Sequence, residues 1–192
     1  MGKQPKQVPR SATKGSPGSV LLAGVVCLAL GLGIGYYFGM QSAKPAGPVA
    51  ATQTGAFIQN EASLRAMIQS NPRDVNALIQ LGNLYYDHAH FLDAVEWYGK
   101  ALEINPNNAD VRTDRGTSYW NLGQADAAIA EFQKALEADP SHAQTLYNLG
   151  VVYLNGKDNP AEAKKAWERL LASNPNYRDR AKLQQQIEAL SA

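Results

Sequence analysis

Apolar positions between residues 75 and 177 recur at helical spacing, and the whole pattern then repeats. Leu78, Leu81 and Tyr85 share one helix face, and Ala94, Tyr98 and Ala101 share another shortly after. Adding 34 to Gly82, Tyr85, Ala94, Tyr98, Ala101 and Pro106 gives Gly116, Tyr119, Ala128, Phe132, Ala135 and Pro140. Adding 34 again gives Gly150 and Tyr153, after which Ala163, Trp167, Leu170 and Pro175 each arrive one residue late. A fixed period of this length predicts an all-α solenoid of stacked antiparallel hairpins, with units at 75–108, 109–142 and 143–177.

The polar punctuation agrees. Asn71-Pro72, Asn105-Pro106, Asp139-Pro140 and Asn174-Pro175 are helix stops, because the residue before proline is driven out of helical geometry. The first of these stops implies an earlier helix over 57–70, a half-repeat that packs Leu64 and Met67 on the first hairpin. The polar tail 177–190 keeps Leu183, Ile187 and Leu190 on one stripe and reads as a capping helix. Gly82 with Ala94, Gly116 with Ala128, and Gly150 with Ala163 are small where the helices of a hairpin cross closely.

Two positions depart from the pattern. Arg112 and Arg115 stand where the first unit has Leu78 and Leu81. Either their stems cover the seam while their heads reach water, or that seam is loose. The insertion near Asn155-Gly156-Lys157-Asp158-Asn159-Pro160 lengthens the third turn, either as neutral loop growth or as a loop that meets a partner.

Ahead of the repeats the pattern changes twice. Residues 41–56 are rich in Pro, Ala, Gly and Thr without an apolar face, and read as a flexible tether. Residues 19–40 carry no charge and end on Tyr36, Tyr37 and Phe38. As a helix they span roughly 33 Å, enough to cross a bilayer, with aromatic residues where an interfacial belt sits. Gly31, Gly35 and Gly39 recur on one face of this span; they mark either a seam for a homo-oligomer or ordinary membrane-helix composition.

Charge sets the orientation. Residues 1–18 hold Lys3, Lys6, Arg10 and Lys14, and the first carboxylate is Glu61. The expectation is a single-pass protein of the inner (cytoplasmic) membrane, with a cytoplasmic N-terminus and the repeats on the far side, periplasmic in a Gram-negative cell. A cleaved signal peptide is the alternative. Cys27 does not suit a lipoprotein, because Val25 and Val26 precede it. A lone cysteine also excludes an intrachain disulfide. The net charge of +1 gives no electrostatic case for nucleic acid.

The 57–190 region resembles tetratricopeptide (TPR) repeats through Leu81-Gly82, Tyr85, Ala94, Tyr98, Ala101, Pro106 and their recurrences. The resemblance implies that the first helix of each hairpin lines a concave groove for a protein or peptide. It places Asn76, Ile79, Asn83, Tyr86 and Asp87 there from the first unit. The second unit adds Asp110, Thr113, Thr117, Trp120 and Asn121, and the third adds Gln144, Tyr147, Val151, Leu154 and Asn155. Aromatic rings beside amides suit a peptide, with rings for burial and amides for its backbone. The alternative is that the rings pack between repeats. The family's carboxylate clamp needs Lys near Ile79, Asn at Asn83, Asn near Asp114, Lys near Gln144 and Arg near Asn148; only Asn83 matches.

A narrower similarity runs through Ala166-Trp167-Glu168-Arg169-Leu170-Leu171, Asn174-Pro175 and the capping helix. It is to TPR domains of c-type cytochrome biogenesis proteins. That resemblance implies a groove for an apocytochrome helix and a heme-lyase partner. Catalysis has little support: His88 and His90 lack a third ligand motif, and no P-loop, GxSxG or HExxH is present. No cofactor, metal site or enzyme activity is expected. The reading is an anchored adaptor; the rival class is a scaffold or assembly factor of an envelope complex.

Overall fold

The structure, a computed structural model, describes residues 48–190, with side chains from residue 55. The basic segment, the apolar span with Gly31, Gly35 and Gly39, and the tether up to residue 47 lie outside the described residues. Eight helices follow: α1 Pro48–Ser70, α2 Val75–Asp87, α3 Phe91–Ile104, α4 Ala109–Asn121, α5 Ala125–Ala138, α6 Ala143–Lys157, α7 Pro160–Ser173 and α8 Arg180–Ala189. α2 with α3, α4 with α5 and α6 with α7 form the three hairpins. Among the described residues, no helix is long and apolar enough to cross a membrane.

The prolyl stops build the connections. After each stop a backbone bond closes a turn, from Asp74, Asn108, His142 and Tyr177 N–H to the carbonyls of Asn71, Asn105, Asp139 and Asn174. Proline fits the second position of such turns because its φ is already set. Three of these turn residues then cap the next helix. The Asp74 and Asn108 side chains accept from Ala77 and Val111 N–H at 3.0 and 3.1 Å, and His142 accepts from Thr145 N–H at 3.4 Å.

Inside each hairpin a glycine makes room for a ring. A Cβ on Gly82 would lie 2.6 Å from the Tyr98 ring, on Gly116 2.5 Å from Phe132, and on Gly150 2.1 Å from Trp167. Ala94, Ala128 and Ala163 are fully buried alongside. The expected close crossing is present, and its purpose is to seat an aromatic side chain of the second helix.

Apolar burial falls into two clusters. One gathers Leu78, Leu81, Tyr85, Trp97, Tyr98 and Val111; the other gathers Phe132, Leu146, Leu149, Val152, Trp167 and Leu170. α8 closes the second with Leu183 and Ile187 buried and Leu190 packed beside them. α1 adds Phe57, Leu64 and Ile68 to the first. Met67 departs from expectation: it is 43% exposed, and Ile68 takes the inward place. The helix also starts at Pro48, so residues 48–56 of the expected tether are helical. Alanine favours helix, and proline costs nothing in a first turn whose N–H has no helical partner.

Candidate functional site: the face of the first helices

α2, α4 and α6 lie side by side and bond to one another across their facing edges. Asn121 Nδ2 donates to Tyr86 Oη at 3.2 Å, and Asn148 Nδ2 donates to Thr117 Oγ1 at 3.1 Å. The outward strip follows from helical spacing. On α4, Asp110, Asp114, Thr117 and Asn121 fall at i, i+4, i+7 and i+11, one continuous face. The same register puts Asn76, Gln80, Asn83 and Asp87 on α2, and Gln144, Asn148, Val151 and Asn155 on α6. All twelve positions are exposed or half-buried. Nine are uncharged, mostly amides, and the three charged ones are carboxylates: Asp87, Asp110 and Asp114.

The groove residues expected from sequence divide in two. Asn83, Asp87, Thr117 and Asn121 sit on the strip, as does Val151, whose side chain also packs on the second core. Ile79, Tyr86, Trp120, Tyr147 and Leu154 turn into the seams between repeats. Ile79 and Tyr86 pack on the first cluster; Trp120, Tyr147 and Leu154 pack on the second. Thr113 is fully buried: its hydroxyl donates to Ala109 O at 2.7 Å and meets Thr145 Oγ1 at 2.5 Å. The rings are therefore half-buried and engaged in packing on one side. Trp120 shows why. A Cβ on Gly156 would lie 2.6 Å from its ring, so the extended end of α6 closes over it. The insertion thus lengthens a helix and seats a tryptophan of the preceding repeat.

Asp114 is the residue that ring-centred reasoning passed over. It occupies the position of Gln80 and Asn148, 34 residues on either side. Asn148 is bonded to Thr117 and also accepts from Gln144 at 2.8 Å. The Asp114 carboxylate makes no hydrogen bond or ion pair among the described residues. Burial raises its pKa to about 6; the nearby charge of Asp110 adds to the rise and His142 opposes it. Asp110 itself lies 2.9 Å from His142 Nε2. Tyr98, whose hydroxyl donates to Asn83 at 2.7 Å, is pushed well above the usual phenol range by burial first, and then by Asp114 and Asp87.

The opposite side of α4 carries Arg112 and Arg115, and Lys134 of α5 joins them. Arg112, Arg115 and Lys134 approach the buried Glu131 carboxylate at 3.3, 3.8 and 3.5 Å. This answers the question raised by the two arginines: the seam is neither loose nor merely covered, but is closed by an ionic cluster. At the far end of the strip a cavity of about 280 Å³ is lined by Gln144, Tyr147, Tyr177, Arg178 and Lys182, among others.

His88 and His90 belong to another contact. Both face the Phe57 ring, at 4.6 and 5.8 Å between centroids, and His88 Nδ1 meets Leu84 O at 2.8 Å. Among the described residues, no group of three or more His, Cys, Asp or Glu is placed to hold a metal ion.

Known families meet this geometry directly. Residues 113–178 match the family described as tetratricopeptide repeat, and residues 91–123 match a TPR repeat. Residues 91–178 carry tetratricopeptide repeats. MamA, in its crystal structure, is 23% identical over 72% of this chain and 79% of its own, with a TM-score of 0.63. A tetratricopeptide repeat protein from Parabacteroides merdae is 22% identical over 73% of this chain and 56% of its own, with a TM-score of 0.63. The first TPR of Spaghetti (RPAP3), bound to the HSP90 peptide SRMEEVD, is 24% identical over 62% of this chain and 96% of its own, with a TM-score of 0.55. No curated protein matches the sequence. At these identities the likeness is one of fold. The TPR fold is an interaction scaffold, and catalysis is not its general use.

Proposed function

We propose that this TPR chain is an anchored adaptor that holds a segment of a partner protein on the face of α2, α4 and α6. The observation that carries this reading is the strip. It runs through three successive hairpins in one register and is lined mostly by amides, of which Asn83 also accepts from the buried Tyr98 hydroxyl. Amides in a row are suited to the backbone of a bound peptide, which offers donors and acceptors at every residue. The structural neighbours RPAP3 and the Sti1 TPR2B domain, solved with an HSP90 peptide and in a pHsp70 complex, support peptide capture as a use of this fold.

The anchor in this proposal is the uncharged stretch 19–40, with the repeats outside the cytoplasm. The similarity to cytochrome biogenesis proteins adds little to the choice of partner. Ala166, Trp167, Leu170 and Leu171, which carry it, are all buried in the second core. Their pattern serves packing.

Site-specific photo-crosslinking in cells tests the adaptor reading. A photoreactive residue at Asn83 or Asn121 is expected to trap the same partner, and one at Gln133, exposed on α5, is not. Equal trapping from all three positions removes the strip as the binding face. Retention of the chain in alkali-washed membranes is expected; release into the wash removes the anchor.

A further inference from the structure

We infer that the segment held on the strip carries a lysine or arginine whose cationic head rests against Asp114. The inference rests on the adaptor reading and deepens it. Charge complementarity is the argument. The strip's charged positions are Asp87, Asp110 and Asp114, and it holds no cation, in a chain whose net charge is +1. The cations nearest in sequence, Arg112 and Arg115, sit on the same helix but face Glu131 on its other side.

Asp114 differs from the other two carboxylates. Asp110 meets His142, and Asp87 is exposed at a helix end. Asp114 is half-buried and unpaired among the described residues, while its repeat equivalents, Gln80 and Asn148, are neutral amides. A half-buried, uncompensated carboxylate costs free energy in the free protein, and a bound cation relieves that cost. Asp110, one turn away on α4, and His142, ahead of α6, act on it, and it acts in turn on Tyr98 of α3, which Asp87 of α2 also reaches. His142 is the one base among them, and its Nε2 already lies 2.9 Å from Asp110. The strip's other end is of mixed charge, with Arg178, Lys182 and Asp179 around the 280 Å³ cavity. The strip's own carboxylates all lie on α2 and α4, so the cation falls on that half.

The test is selection of a random peptide library displayed on phage against the full-length chain in mild detergent. The selected peptides are then synthesised and titrated by fluorescence anisotropy. A lysine or arginine at one shared position is expected. Its replacement by glutamine weakens binding about ten-fold, a difference of ~1.4 kcal/mol. The isosteric Asp114→Asn causes a similar loss, and the two losses do not add when combined. Binding is also tighter at pH 8 than at pH 5, and Asp114→Asn flattens that profile. Peptides that lose affinity for Asn121→Ala yet share no cation, or bind Asp114→Asn unchanged, overturn the inference and leave the adaptor reading standing. Peptides indifferent to Asn121→Ala, or no selected peptide at all, remove both.

Discussion

The two cores of this solenoid are built alike, yet the helix between them is not. In the first, Leu78, Leu81 and Tyr85 of α2 meet Tyr98 of α3; in the second, Leu146, Leu149 and Val152 of α6 meet Trp167 of α7. α4 stands between them with Arg112 and Arg115 in the positions of Leu78 and Leu81. One of its edges is closed by ions around Glu131, and its outer face carries Asp110 and Asp114. The repeat fixes where a side chain points, while the sequence of each repeat decides what chemistry it delivers there. A polar central helix gives up apolar burial and gains a charged strip in the middle of the binding face.

That contrast is breakable, and the largest effect is expected in the second core. Gly150→Val forces the Trp167 ring off its seat and breaks its bond from Nε1 to Tyr147 O at 3.0 Å. Denaturant unfolding is expected to show a loss of about 3 kcal/mol. In the ionic seam, Glu131→Gln leaves Arg112 and Arg115 facing a neutral amide. A loss of about 2 kcal/mol is expected, below the range for fully buried pairs because both guanidiniums remain partly exposed. At high salt the gap should narrow, because the partly exposed charges of the seam are screened.

On the strip the sign reverses. Burial holds the folded pKa of Asp114 at about 6, well above the ordinary carboxylate value of 3.8. Its contribution is fully favourable below the unfolded value and is lost as pH rises through about 6. Asp114→Asn should therefore be more stable than wild type by about 1 kcal/mol at pH 8, after allowing for solvent screening, with the gap closing near pH 4. The smallest effect concerns the turns inside hairpins. Ala89 and Gly123 hold equivalent positions with φ of 58° and 74°. Ala89→Gly removes a left-handed strain and should raise stability by about 0.5–1 kcal/mol in a thermal melt.

Much of this was legible before any coordinates. The 34-residue step located every hairpin, and the prolyl stops located the turns, because both reflect backbone geometry that neighbouring residues enforce. The glycines were legible as close crossings. That each receives a ring was also within reach, since Tyr98, Phe132 and Trp167 follow them at near-constant spacing. The start of α1 was not, because an Ala-rich segment with Pro and Gly suits a tether and a helix equally. The groove was half legible. Tyr86 and Trp120 drew notice as aromatic residues, but a ring at a seam and a ring in a groove have the same periodicity; only the Gly156 contact separates them. Asp114 had a signal, the i+4 step from Asp110 on a helix face, which a search for large side chains does not detect.

The most direct measurement is a carbon-detected NMR titration of the Asp114 carboxyl in the full-length protein, free and with a selected basic peptide. The account predicts a midpoint near pH 6 in the free protein. It predicts a clear fall once the peptide's cation is in place. A midpoint in the ordinary carboxylate range, or one that the peptide leaves unmoved, would contradict the claim that the middle helix presents an uncompensated charge to the partner.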